Sequence, residues 1–362
     1  MASKISKMNA MLKDLMGISY KNDVEDMEFL TVLLEKCLSL KEEIKHMKSL
    51  VCVKPQVDDK KLLSEGIDKK LADTILQNVV TKKSDLSFKD YIGNKEAIEM
   101  IRQSVILPRL HPDVFVGLRQ PSRGMLMYGP PGTGKTFLAK CTASEANCNF
   151  FSLSASALTS KWVGEGEKMV KTLFQLAAVI APSIIFIDEI DSLLTARVEG
   201  EQESTRRMKT EFLVQMDGIS SQSTSIFFMA STNVPWEIDQ AVLRRFPIKT
   251  YIGLPNQSQR IKILKNLLKP PNLHNITNEQ FKTLAKNTKL YSPDDLKNIA
   301  QNAAKQIFNN KNIKHYKNIP IQIHHFNKAI QIIKPSCLCW GKGVSPISPF
   351  HDAVINFEKG LD

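Results

Sequence analysis

Apolar positions follow two regimes along the chain. Up to residue 55 they recur three and four apart: Leu30, Leu33, Cys37, Leu40, Ile44, Met47 and Val51 trace one helical stripe, a heptad seam of about three repeats. Lys54-Pro55 ends it. An earlier stripe, Met8, Met11, Leu12 and Leu15, offers it a face, so residues 1–55 read as an N-terminal helical region. That region is either a hairpin or small bundle, or a partner-binding coiled coil. Residues 56–85 carry mixed charge around a helical patch, Leu71, Ile75 and Val79, and read as a linker. From residue 86 the apolar residues gather into short continuous runs at 125–128, 150–153, 184–187, 226–230 and 250–252, with helical stretches between most of them. Strands that are apolar on both faces and alternate with helices predict an α/β domain over 86–254, a parallel sheet covered by helices. After Leu254-Pro255 the strand pattern stops. Helical segments near 258–268, 277–287, 293–309 and 323–333 predict a small helical-bundle domain over 255–335, with a tail and helix over 336–362.

Between the first strand and the helix after it stands Gly129-Pro130-Pro131-Gly132-Thr133-Gly134-Lys135-Thr136, a phosphate-loop pattern in the strand–loop–helix setting it needs. The glycines let backbone N–H groups curl around phosphate oxygens, and the helix N-terminus adds a favourable dipole. Lys135 reaches toward β- and γ-phosphates, and the Thr136 hydroxyl suits Mg²⁺. A second strand, Ser183-Ile184-Ile185-Phe186-Ile187, ends in Asp188-Glu189. Asp188 at the strand tip suits Mg²⁺, and Glu189 is placed to orient and deprotonate an attacking water. A third strand ends in Ser231-Thr232-Asn233, where the Asn233 amide either holds that water or serves a plain turn. Arg244 and Arg245 lie beyond it. Side-by-side arginines are usually solvated surface, but this site has no obvious cation besides Lys135, and an arginine from a neighbouring subunit would supply one.

Composition narrows the setting. With 362 residues, 43% hydrophobic and 24% charged, the chain is long enough for two or three cores and is ordinary for a soluble protein. A net charge of +12 predicts an acidic partner, whether nucleic acid, anionic lipid or an acidic protein tail. The six cysteines show no disulfide framework and no metal-ligand spacing, so they read as free thiols. No window approaches the ~18 apolar residues of a membrane span, and the N-terminus lacks the apolar core of a secretory signal. A soluble cytoplasmic protein is expected, with the nucleus left open.

Taken together, residues 86–305 resemble the AAA ATPases, and within them the microtubule-severing group of katanin, spastin and fidgetin. The resemblance runs through the phosphate loop, Ile187-Asp188-Glu189-Ile190-Asp191-Ser192-Leu193, Ser231-Thr232-Asn233 and Leu243-Arg244-Arg245-Phe246. It implies a homo-hexameric ring with ATP and Mg²⁺ at subunit interfaces, and Arg244 and Arg245 reaching the neighbour's γ-phosphate. It also implies that Asp90, Ile92 and Gly93 cup the adenine while Pro131, Gly132, Thr133, Gly134, Lys135, Thr136 and Phe137 hold the rest of the nucleotide. Leu158-Thr159-Ser160-Lys161-Trp162-Val163-Gly164-Glu165-Gly166-Glu167-Lys168 matches the family's first pore loop, in which Lys161, Trp162 and Val163 would grip a polypeptide; a second pore loop would fall near 197–207. From the pattern alone a large aromatic such as Trp162 would be placed in the core.

The same resemblance points to a substrate. The stretch after Ala304 reads as too short for the inserted β domain of the ESCRT-disassembling relatives, and its closing residues are similar to those of spastin and fidgetin. Pulling on acidic tubulin tails to sever microtubules is therefore the expected activity, with disassembly of ESCRT filaments or another protein complex as the alternative. Nucleic acid is not expected as a partner, because Lys161-Trp162-Val163 suits polypeptide better than phosphate. One departure bears on the site: Leu290-Tyr291-Ser292-Pro293-Asp294-Asp295-Leu296 stands where the family has Gly-Tyr-Ser-Gly-Ser-Asp-Leu, which puts the grip on adenine in question.

Overall fold

The five apolar runs lie side by side as parallel strands; four extend by one or two residues beyond the sequence pattern, and the last is shifted to Ile248–Tyr251, leaving out Ile252. A computed structural model describes residues 67–78, 80–81, 85–155, 166–195, 203–221, 226–269, 274–307, 320–342, 344 and 348–359. The heptad seam, the pore-loop residues Lys161, Trp162 and Val163, and residues 197–202 of the expected second pore loop lie outside them.

In chain order, helix α1 (Lys69–Asn78) leads to a two-residue strand β1 (Val80–Thr81). Helix α2 (Lys95–Ile101) begins at Asn94, whose side chain accepts from the N–H groups of Glu96 and Ala97. Strand β2 (Gly124–Tyr128), helix α3 (Lys135–Glu145), strand β3 (Asn149–Ser154), helix α4 (Gly166–Val179) and strand β4 (Ser183–Asp188) follow. Then come the short helix α5 (Asp191–Leu194), helix α6 (Glu203–Ser221), strand β5 (Ile226–Thr232), helix α7 (Gln240–Arg244) and strand β6 (Ile248–Tyr251). The sheet order is β1-β3-β4-β5-β2-β6, with β1 antiparallel to β3 and every other neighbour parallel.

Period-two alternation divides each strand between two cores. Leu126, Phe151, Ile185, Ile187 and Phe228 face one side, where α4 and α6 pack with Leu173, Phe174 and Phe212. Met125, Met127, Ile184, Phe186 and Met229 face the other, against Leu138 and Ala139 of α3 and Ile101 of α2. Each such side chain, fully buried, contributes roughly 1.5–3 kcal/mol. The interval expected as a linker is part of this packing: Ile67, Ala72 and Ile75 of the α1 region lie buried in the first core. Within α1 the charged Lys69, Lys70 and Asp73 lie on the exposed face of an amphipathic helix.

After β6 come helices α8 (Gln257–Leu267), α9 (Asn278–Asn287), α10 (Pro293–Gln306) and α11 (Ile323–Ile332), packed around Leu264, Phe281, Leu284, Leu296, Ile299 and Phe326. Capping boxes at Asn256/Gln259, Thr277/Gln280 and Ser292/Asp295 fix three of their starts. Leu290 adopts φ +71, the left-handed conformation a glycine would favour, and Pro293 takes the first helical position of α10. Both departures are thus absorbed by the backbone. The terminal helix α12 (His351–Lys359) returns to the large domain, where Phe350 meets Tyr128 edge-on at 4.9 Å.

Candidate nucleotide site

Parallel register places the strand ends together: Ser154 lies beside Asp188, and Tyr128 beside Thr232. Residues just beyond these ends therefore converge at the carboxyl edge of the sheet, where open α/β sheets bind ligands. The phosphate loop leaves β2 at Gly129, whose φ is +147 and whose Cβ, if present, would stand 2.2 Å from the Ile252 carbonyl oxygen. Only glycine fits there. Gly132, at φ +71, nests so closely against the start of α10 that a Cβ there would stand only 2.7 Å from Ser292 Oγ. The Asp294 N–H donates to the Gly132 carbonyl at 3.3 Å.

Lys135 opens α3 and is 7% exposed. Its Nζ donates to the carbonyls of Gly129 at 2.9 Å and Pro130 at 2.8 Å. Burial pushes its ammonium down to about 8, against the opposing pull of Asp188, Cys337 and Asp191. A buried cation tied to backbone carbonyls inside a glycine-rich loop at a helix N-terminus suits an anion that restores its charge. Beside it, Thr136 Oγ1 donates to Asp188 Oδ2 at 2.5 Å. Asp188 Oδ1 accepts from the Ser231 hydroxyl and, at 3.1 Å, from the N–H of Glu189. One carboxylate and one hydroxyl, both hard oxygen donors, fit Mg²⁺, which keeps several waters and shares phosphate oxygens. Among the described residues no group of three or more His, Cys, Asp or Glu forms a fuller metal cage.

Glu189 leaves the strand at φ +53 and is exposed, so its carboxylate is turned out of the sheet, away from the core strand that carries it. Asn233 follows β5 at the same edge, and its carbonyl accepts from Trp340 Nε1 at 2.6 Å. Thr232 Oγ1 donates to Asp191 at 2.5 Å, tying β5 to α5.

Next to the loop opens a cavity of about 310 Å³. Asp90, Tyr91 and Ile92 line one wall; Gly132, Thr133, Gly134 and Phe137 line the loop side; Ile263, Leu267, Pro293, Asp294 and Lys297 close it from the helical domain. Mixed apolar walls and backbone edges at the mouth of the phosphate loop suit a heteroaromatic base. Gly93 stands behind this wall, with its carbonyl accepting from Gln259 Nε2 at 2.9 Å and a Cβ there blocked by the Tyr91 ring. Pro131 offers its carbonyl to the Cys337 thiol at 3.3 Å. Arg244 and Arg245 do not line the cavity. Arg244 is exposed at the end of α7, whereas Arg245 forms a two-pronged pair with Asp217 of α6, both contacts 2.7 Å, which raises its pKa.

Several contributors were invisible in the sequence. Ser231 enters the sequence pattern only as the first residue of the strand-ending Ser231-Thr232-Asn233, and that position is its available signal. Cys337 and Trp340 sit in the tail, and nothing local ties them to residues 131 and 233. The described cysteines are indeed free thiols, Cys141, Cys148 and Cys337 buried and Cys339 exposed.

Comparison with known proteins agrees with this geometry. Residues 125–254 match the model of the ATPase family associated with various cellular activities (AAA). Spastin of Danio rerio is 48% identical over 241 residues, which is 66% of this chain and 42% of spastin, so the chain spans less than half of that relative's length. The crystal structure of the FIGL-1 AAA domain in complex with ADP superposes with a TM-score of 0.69 at 36% identity, covering 81% of this chain and 97% of that one. A katanin structure that describes katanin self-assembly gives 0.63 at 33% identity, covering 74% and 92%.

Proposed function

The chain belongs to the ATPase family associated with various cellular activities, and from that premise we propose that it hydrolyses ATP and spends the energy pulling on polypeptide, with microtubules as substrate. The observation that carries the chemistry is the fixed Asp188 carboxylate, bonded to Thr136 on one side and Ser231 on the other, with Glu189 turned outward beside it. Backbone N–H groups of the loop and the Lys135 ammonium bind the triphosphate. Thr136 and Asp188 would hold Mg²⁺, which when bound neutralises charge on the β- and γ-phosphate oxygens. Glu189 accepts a proton from the attacking water, a role worth roughly 10²–10⁴ in rate. The Asn233 amide orients that water. Asp90, Ile92 and Gly93 frame the adenine, and the ADP complex of the FIGL-1 AAA domain supports a nucleotide as the ligand.

An arginine completes the site from a neighbouring copy, and a finger of this kind adds roughly 10³–10⁵ in turnover. Arg244 is exposed and available; Arg245 must first exchange Asp217 for phosphate. A homo-hexamer formed with ATP provides the geometry, and katanin's self-assembly supports it. In such a ring Lys161, Trp162 and Val163 grip an acidic tail, which the net charge of +12 favours. A cytoplasmic site of action follows from a microtubule substrate, and no described helix is long and apolar enough to cross a membrane.

Two variants and two substrates test this. Glu189→Gln should bind fluorescent ATP normally yet hydrolyse it at least ~100-fold more slowly, whereas Lys135→Ala should lose binding. Near-normal turnover by Glu189→Gln would remove Glu189 from the mechanism. Wild-type protein with ATP should fragment immobilised microtubules and leave ESCRT filaments intact; the reverse outcome would transfer the activity to the alternative substrate.

A further inference from the structure

The tail segment between α11 and α12 touches three separate parts of the nucleotide site. Ser336 donates from both N–H and hydroxyl to Asp295 Oδ2, at 3.3 and 3.0 Å, and Asp295 closes, with Ser292, the buried capping box that starts α10. The Cys337 thiol donates to the Pro131 carbonyl in the phosphate loop. Trp340 donates from Nε1 to the Asn233 carbonyl at 2.6 Å. The third contact is the most specific. Trp340 is 8% exposed and its indole is enclosed by Trp236, Tyr251 and Phe357, at centroid distances of 5.5, 5.9 and 5.3 Å. An indole wedged among three aromatic rings has one donor and little freedom to aim it elsewhere. Asn233 lies just beyond β5, and the peptide that carries its carbonyl is held on its other side by the Val234 N–H, which donates to Thr232 Oγ1 at 3.0 Å; the indole is the second anchor of that plane.

We infer that Trp340 is a positioning residue for ATP hydrolysis: its indole N–H fixes the Asn233 peptide, and through it the amide that orients the attacking water. This rests on the water-orienting reading of Asn233 above. Trp236 strengthens the case, because it lies three residues after Asn233 and packs on the same indole at a tilt of 56°, so the loop leaving β5 is held at both its carbonyl and its next aromatic side chain.

The test is a double-mutant cycle on the full chain, with Trp340→Phe, Asn233→Ala and the pair. Phe keeps an aromatic ring in the box and removes the donor. One neutral hydrogen bond sets the scale, so Trp340→Phe should lower kcat about three- to tenfold while KM for ATP, melting temperature and assembly by light scattering stay close to wild type. Asn233→Ala should lower kcat further, and adding Trp340→Phe to it should cost nothing more, because no amide is left to position. Wild-type kcat in Trp340→Phe, or an equal loss in both backgrounds, would overturn the inference while leaving Asn233 in place. A wild-type kcat in Asn233→Ala would instead remove the water-orienting role itself, and the positioning role with it. If Phe destabilises the protein, benzothienylalanine at position 340, which keeps the bicycle and lacks the N–H, gives the same comparison.

Discussion

At the scale of single residues, Asp188 is the most constrained group in the site. It takes a hydroxyl from each side and a backbone N–H from its successor, which leaves its carboxylate no freedom to rotate away from Thr136. Hydrogen bonds to a charged acceptor are worth about 1.5–3 kcal/mol each. Ser231→Ala should therefore weaken activation by Mg²⁺ about tenfold, seen as a shift in the half-saturating Mg²⁺ concentration of the ATPase, with little change in melting temperature. An unshifted Mg²⁺ curve would mean that Ser231 only fills space. Thr136, Asp188 and Glu189 were legible in the sequence because strand, loop and helix order their roles locally. Ser231 was not, since a serine at a strand end looks the same whether or not a carboxylate faces it. Trp340 was less legible still: its partner lies 107 residues away, and only the folded chain brings them together.

At the scale of elements, the strands were legible because both faces are buried, which forces continuous apolar runs that few other structures share. Helix α1 was misjudged for the opposite reason. A ten-residue helix with one apolar stripe and charges elsewhere has the composition of a linker, and its burial depends on α4 lying beside it. Ile75 is fully buried, so Ile75→Ala should cost about 2–5 kcal/mol in urea unfolding. A loss below about 1 kcal/mol would detach α1 from the core. Leu290 shows another limit. Its place in a family pattern marks a missing glycine, yet the backbone takes the left-handed conformation regardless at φ +71, and Pro293 suits the helix start that the Ser292/Asp295 box then caps. Pro293 itself lines the cavity beside the phosphate loop.

At the scale of the whole molecule, the two-part layout followed from a single change in pattern after Leu254-Pro255, where strands give way to helices. Less legible was the way the last segment returns across that boundary to the nucleotide site, because tail residues carry no periodicity that names their contacts. The site within one chain also has a stated incompleteness: Lys135 is its buried cation, while Arg244 faces solvent and Arg245 is paired to Asp217. The central claim is that a second copy supplies the missing charge. It is tested most directly by mixing two inactive variants, Glu189→Gln and Arg244→Ala/Arg245→Ala, and measuring ATP turnover. A Glu189→Gln chain retains its arginines, and the double arginine variant retains Glu189, so each can complete an interface for the other. The account predicts turnover in the mixture well above that of either variant alone, rising with total protein concentration. Turnover in the mixture no greater than the mean of the two would contradict it.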